Sequence, residues 1–151
     1  MQYHYCEPRA IAEQYMTNGG DLYDYKFWCY DGRVESIMFL SDRNTGKGLH
    51  MSFYSPDWQR LDYVYNFPRS VKYVPSPKRL GEMLSLASEL SKGFPHVRVD
   101  LYLPKDGRIR FGEMTFTSAS GACRWNLPET NLRLGKMFDL TMLPEWKDYA
   151  K

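Results

Sequence analysis

The sequence predicts an α+β domain in which a largely antiparallel sheet carries one or two packed helices. Three observations point there. Two pairs of alternating segments are each joined by a tight turn signal, Asp31-Gly32 in the first and Lys105-Asp106-Gly107 in the second. One segment, residues 77–92, has a helical apolar period. The strand-like segments come in runs, with the helix set apart from them, which is the order of an α+β chain and not of repeated βαβ units.

Taken in order, residues 9–16 read as a short strand and residues 17–21 as a turn-rich break. Residues 24–30 alternate and are aromatic, and residues 33–40 form the returning strand. Residues 41–47 are polar and loop-like. Residues 49–54 read as another strand, Ser55 to Trp58 as a turn with an aromatic anchor, and residues 61–67 as a further strand. Residues 68–77 hold three prolines and form a connector. In the helix, Ser76 is placed to cap the N-terminus and Pro77 suits the first position. Leu80, Met83, Leu84, Ala87 and Leu90 form its apolar stripe, and Gly93 is its stop. Residues 97–103 and 108–117 make the second hairpin, residues 118–121 a small-residue loop, residues 130–140 a terminal helix, and residues 144–151 a surface tail.

The chain has 151 residues, enough for one domain, and 43% of them are hydrophobic, so a core can form without disulfides. Twenty basic and 18 acidic residues leave a net charge of +2. That balance gives no strong pull toward nucleic acid or an anionic membrane. Cys6, Cys29 and Cys123 are odd in number and widely spaced, which argues against a disulfide framework or a zinc site. His4, His50 and His96 also stand apart and are assigned no partner. No apolar run approaches the roughly 20 residues of a membrane span, and the N-terminus lacks a signal-peptide core. The expected setting is reducing and cytoplasmic.

The chemistry-bearing constellation lies in the second hairpin. Alternation puts Arg98 and Asp100 on one face and Val97, Val99 and Leu101 on the other. It likewise aligns Phe111, Glu113 and Thr115. A turn at residues 105–107 sets Asp100 nearly opposite Glu113. Two facing carboxylates repel unless a positive group sits between them. Arg98 is one candidate and a divalent cation the other. Mg²⁺ takes a few carboxylate oxygens and completes its shell with phosphate and water, and the Thr115 hydroxyl would add to such a set. Ser118, Ser120 and Gly121 follow and offer hydroxyls and N–H groups to an anion. The alternative is a solvated surface cluster of arginine and carboxylates; spacing leaves both open. Trp28, Trp58 and the tyrosines are read as core and sheet packing, Cys29 as a small buried hydrophobe, and Asp42-Arg43 as a loop ion pair.

Several stretches in series carry a family resemblance. They are residues 8–16, 21–32, 41–43, 54–58, 82–83 and 90–95, then Val97-Arg98-Val99-Asp100-Leu101-Tyr102 and Phe111-Gly112-Glu113-Met114-Thr115-Phe116. In order and spacing, over residues 8–139, they resemble the C-terminal lobe of the ATP-grasp fold. The likeness is to the TupA-like branch, linked to teichuronopeptide and surface-polysaccharide synthesis. The resemblance implies an ATP-dependent carboxylate–amine ligase working through an acyl-phosphate, with ATP and Mg²⁺ as cofactors. Relatives are often labelled glycosyltransferases, but the sequence carries no independent sugar-nucleotide signature.

The same resemblance implies roles. Asp100 and Glu113 would be metal carboxylates. Thr115 would stand where many relatives carry a metal-binding Asn, and Arg98 would contact the transferring phosphoryl group. Glu13 to Met16 would be the adenine hinge, with Gln14 and Met16 offering a carbonyl and an N–H. Asp24 would bind ribose hydroxyls and Lys26 would approach phosphate. The plain readings are a solvated strand residue for Glu13, a turn residue for Asp24 and a surface lysine for Lys26. The family's first lobe and N-terminal substrate domain are not found before Glu13. The expectation is therefore a single lobe, residues 1–151, that is either a fragment, completed by a partner chain or second copy, or a reduced nucleotide-binding or interaction module without turnover.

Overall fold

Asp31 and Gly32 both take left-handed backbone angles, φ 43° and 76°. A two-residue turn of this kind matches the twist of the strands it joins, and Gly adopts it without steric cost. It connects β1 (Asp24–Tyr30) to β2 (Arg33–Ser41) in an antiparallel hairpin. The computed structural model describes residues 7–16, 22–42, 46–64, 67–70, 73–122 and 124–142. The turn expected at residues 17–21, Arg43, the tail, His4, Cys6 and Cys123 lie outside them.

Among the described residues the sheet has six strands in the order β4-β3-β2-β1-β5-β6, every neighbouring pair antiparallel. β3 spans His50–Tyr54, β4 Arg60–Leu61, β5 Val97–Tyr102 and β6 Arg110–Thr115. The helix α1 (Leu80–Ser91) packs on one face, and α2 (Pro128–Gly135) follows β6. The predicted α+β class is what is found.

Alternation divides β1 between two layers. Tyr25, Phe27 and Cys29 join Ile37, Phe39, Val97, Val99 and Leu101 beneath α1, whose Met83 and Ala87 are fully buried against them. Burial pushes the Cys29 thiol up to about 12, so this cysteine is a packing residue. Lys26, Trp28 and Tyr30 take the opposite face, where Trp28 joins Met38, Leu40, Met51 and Phe53. Trp58 is the predicted anchor: it stacks on Tyr54 at 4.3 Å, and its indole N–H donates to Val74 O at 2.9 Å.

Two strands are interrupted. Trp28 pairs with Ser36 and Cys29 with Val34, so Glu35 is an unmatched residue in β2. Val99 pairs with Met114 and Leu101 with Phe111, so Gly112 and Glu113 together oppose Asp100. This second bulge corrects the expected alignment of Phe111 with Glu113 and Thr115. Glu113 and Thr115 stay with Arg98, while Phe111 is matched to Leu101 of the other layer.

Other boundaries differ from expectation. Residues 9–16 form no strand and are largely exposed, because none of the described strands pairs with their backbone. Among the described residues the strand expected at residues 61–67 is the short β4, Arg60–Leu61. α1 begins at Leu80, after a turn in which Leu80 N–H donates to Pro77 O; Arg79 takes the N-cap position, with no side-chain cap from Ser76. Leu90 stays partly exposed, and Ser91 fills the buried end of the stripe. The terminal helix starts earlier, with Pro128 in its first turn. No helix among the described residues is long and apolar enough to cross a membrane.

Candidate functional site

β5 is sandwiched between β1 and β6, and this position builds the site. Its outward residues on the face away from α1 are Arg98 and Asp100. β1 brings Lys26 directly opposite Asp100, and β6 brings Thr115 opposite Arg98. Asp100 is 1% exposed. Lys26 forms an ion pair with its Oδ2. From the other side Arg98 donates through Nε to Oδ1 at 2.7 Å and through Nη2 to Oδ2 at 2.8 Å, a two-pronged arrangement.

The same Nη2 also donates to Glu113 Oε1 at 2.8 Å and to Thr115 Oγ1 at 2.9 Å. Three side-chain oxygens therefore converge on one positively charged nitrogen. Thr115 in turn donates to Glu113 Oε1 at 3.0 Å, which fixes the hydroxyl's direction. Arg98 Nη1 reaches Ser118 Oγ at 3.5 Å. The formal charges of Lys26, Arg98, Asp100 and Glu113 sum to zero.

Burial pushes the Asp100 carboxyl above its ordinary range, against the opposing hydrogen bonds and charges of Arg98 and Lys26. Glu113 is the counterpart. Its partial burial acts upward, but the Thr115 hydroxyl, the Arg98 charge and a hydrogen bond with Asp100 outweigh it, so its carboxyl lies below the usual range.

Along the sheet toward the β5–β6 turn lies a cleft of about 520 Å³. Glu13, Gln14, Tyr15 and Met16 form one wall, and Lys105, Asp106, Arg110 and Phe111 contribute the other. Arg110 is paired with Asp106 at 2.8 Å at its rim. Arg110 and Glu113 are three residues apart on β6, roughly 10 Å of strand. Asp24, buried at the start of β1, is matched to Tyr102, and Tyr102 to Arg110, so Asp24 lies in the row between cleft and cluster. The residues singled out from the sequence thus fall in two adjoining groups: Glu13, Gln14 and Met16 at the cleft, and Lys26, Arg98, Asp100, Glu113 and Thr115 in the cluster.

The family model described as TupA-like ATPgrasp matches residues 1–139, which contain both groups. The chain belongs to the TupA-like ATP-grasp family. No curated protein and no solved structure gives a significant match to it. Membership supports a general ATP-grasp-type role for this TupA-like chain.

The donor set of the TupA-like cluster can be compared with what Mg²⁺ requires. Among the described residues no group of three or more His, Cys, Asp or Glu side chains gathers as a metal site. The cluster offers two carboxylates and a hydroxyl, all hard oxygens, and they already surround a positive group. That is the right donor type for an ion that leaves much of its shell to phosphate and water. A point among three oxygens holds one cation at a time, so a metal there requires the Arg98 guanidinium to withdraw.

Three features of the site escaped the sequence reading. Lys26 is neither on the surface nor free, but locked to Asp100. The loop at Ser118–Gly121 folds as a 3₁₀ turn in which Ala119 and Ser120 take φ 46° and 54°. Its Ser120 N–H, expected to face an anion, donates to Thr117 O instead, and the following Ala122 N–H donates to Ala119 O. His96 does have a partner: its Nδ1 lies 3.0 Å from Cys29 O. The β1 alternation could have revealed Trp28 and Tyr30 as neighbours of Lys26, since all three share one parity.

Proposed function

We propose that this chain is the Mg-ATP-binding lobe of an ATP-dependent carboxylate–amine ligase-like enzyme of surface-polysaccharide biosynthesis. The observation that carries the reading is the convergence of Asp100, Glu113 and Thr115 oxygens on Arg98 Nη2, beside the buried Lys26. It supplies hard oxygens for a metal and, in Arg98, a cationic side chain for phosphate within a few ångströms, with Lys26 holding Asp100 beside them. The cleft walled by Glu13–Met16 adjoins the same hairpin and would hold the base, with Asp24 assigned to the ribose.

In this reading the substrate carboxylate oxygen attacks the γ-phosphorus, the bond to the bridging oxygen breaks and ADP leaves. The amine nitrogen then attacks the acyl carbon, loses a proton and expels inorganic phosphate. Bound Mg²⁺ would neutralise charge on the phosphate oxygens. Arg98 exchanges its carboxylate partners for the transferring phosphoryl group, to which a planar guanidinium can donate twice. Lys26 keeps Asp100 in place while Arg98 is engaged. Asp100 and Glu113 are the metal carboxylates, and Thr115 orients Glu113 through its hydroxyl. Positioning and charge neutralisation are the main contributions a protein makes to such transfers.

Thermal unfolding with and without ATP and Mg²⁺ tests the proposal. A ligand at ten times its Kd adds about 1.4 kcal/mol to stability, which is readable as a raised Tm. Asp100→Asn and Glu113→Gln should each remove the Mg dependence of the shift. The absence of any shift at millimolar Mg-ATP would overturn the proposal. Retained Mg dependence in both variants would overturn the metal assignment.

A further inference from the structure

A second cavity, of about 410 Å³, opens on the same sheet face as the ion cluster, on the side away from the Glu13–Met16 cleft. Its walls carry no charged residue: they are aromatic, apolar or neutral polar, from β1, His96 just before β5, the Ser118–Gly121 turn and α2. Ser118 belongs both to this cavity and to the contact with Arg98, so the two regions adjoin.

Two buried donors set its chemistry. Trp28 Nε1 and Tyr30 O–H have no hydrogen-bond partner among the described residues, although both side chains are at least nine-tenths buried and both wall the cavity. Leaving such a donor unpaired costs on the order of 1–3 kcal/mol each. The third polar wall is His96. Its Nδ1 faces the Cys29 carbonyl, which can only accept, so Nδ1 carries the proton and Nε2 is left as an acceptor. Trp28 and Tyr30 flank His96, with ring centroids 5.3 and 4.7 Å away. Asn131 of α2 adds an amide that can both donate and accept.

Rings interleaved with neutral donors and acceptors suit an uncharged ring with an apolar face and a hydroxyl-bearing edge. A purely aromatic ring would leave Trp28 N–H and Tyr30 O–H unpaired. A charged body would find no counter-charge. We infer that this cavity is the acceptor site and holds a hydroxylated six-membered ring, of the pyranose class, whose single carboxylate points past Ser118 toward Arg98. The inference rests on the proposed function for the direction of the carboxylate, but the cavity's occupancy is measured without nucleotide.

Nitrogen-15 NMR of the full chain, titrated with glucuronic acid in the absence of ATP and Mg²⁺, reads the site directly. Trp28→Phe assigns the Trp28 indole N–H signal and keeps an aromatic ring in place. Saturable downfield movement of that signal is expected at millimolar glucuronic acid. Gluconate, the open-chain acid, and benzoate, the ring without hydroxyls, should each bind at least about tenfold more weakly, the worth of roughly one hydrogen bond. Trp28→Phe and the solvent-side variant Asn131→Ala, followed through the backbone amide signals that saturate with glucuronic acid in the parent, should each weaken its binding by a similar factor while otherwise retaining the wild-type amide spectrum. No saturable movement at tens of millimolar, equal binding of gluconate or benzoate, or unchanged affinity in both variants would overturn the inference. Failure of Mg-ATP to shift Tm bears on the parent proposal alone.

Discussion

Lys26 and Asp100 stand directly opposite each other across the β1–β5 ladder, and their side chains meet in an ion pair on the face away from α1. Arg98 completes the far side of the same carboxylate. Removing one member of a buried pair leaves an uncompensated charge and costs about 3–5 kcal/mol. Asp100→Leu strands two cations and should reach that range in urea unfolding. Lys26→Met leaves Asp100 held by Arg98 and should cost about half as much. Equal losses in the two variants would mean that Arg98 does not share the carboxylate.

Glu113 should behave oppositely. Its side chain is 61% exposed, whereas that of Asp100 is 2% exposed. Substitutions at exposed positions usually change stability by less than about 0.5 kcal/mol. Glu113→Gln should therefore unfold like the parent and still lose Mg-dependent stabilisation by ATP. A stability loss comparable to that of Asp100 variants would place Glu113 in the framework of the fold.

Gly112 sits where the β6 bulge passes close to β5. A Cβ there would lie 2.8 Å from the Tyr102 ring and 3.1 Å from the Asp100 carbonyl oxygen. The ring end can yield, but the β5 backbone can do so only by moving Asp100. Gly112→Ala should cost about 1–3 kcal/mol in chemical denaturation and weaken Mg-ATP binding along with it. Wild-type nucleotide binding in that variant would show that the bulge accommodates a side chain freely.

His96 supplies a pH dependence of known sign. Burial lowers its pKa below the ordinary 6.5, and the Arg98 charge acts in the same direction, while the hydrogen bond to Cys29 O opposes them. Below pH 6.5 the unfolded chain takes up a proton that the folded chain does not. This contribution therefore falls with pH, at up to about 1.4 kcal/mol per pH unit, until the folded pKa is passed. Stability measured from pH 7.5 to 5 should decline less steeply in His96→Gln. Parallel curves would place the loss on other groups.

The left-handed backbone at Ala119 (φ 46°) can be relieved. A non-glycine residue there costs about 1–2 kcal/mol, and glycine's greater freedom in the unfolded chain takes back roughly 0.5–1. Ala119→Gly should stabilise the protein by about 0.5–1 kcal/mol in urea. A destabilised variant would mean that the alanine methyl makes contacts worth more than the strain.

The hairpins were legible because turn chemistry and alternation are local: Asp31-Gly32 fixes one, and the parity of Arg98 with Asp100 fixes the face of the other. Alternation puts Glu113 and Thr115 on the correct face even though a bulge shifts Phe111, because the extra residue falls between Phe111 and Glu113 and leaves the parity of Glu113 with Thr115 intact. What alternation cannot supply is which strands become neighbours. Lys26 and Asp100 lie 74 positions apart, and only the placement of β5 beside β1 makes them a pair. Trp28 packs as its sequence predicts, but an aromatic residue and a lone histidine such as His96 carry no label that separates packing from lining a cavity. Residues 9–16 had strand-like composition but no partner among the described strands, and a strand needs one.

The unmatched Glu35 of β2 also does more than interrupt a ladder. It is held by the Tyr63 hydroxyl at 2.9 Å and by Arg133 of α2 at 2.6 Å, and Arg133 lies 5.3 Å over the Tyr63 ring. Because the residue is surplus to the pairing, taking it out would leave Val34 still opposite Cys29 and Ser36 still opposite Trp28. The hairpin could close evenly without it; what would be lost is the hook by which α2 is hung on the sheet. One inserted position thus works as a fastener between sheet and helix, added without disturbing the register of the strands beneath.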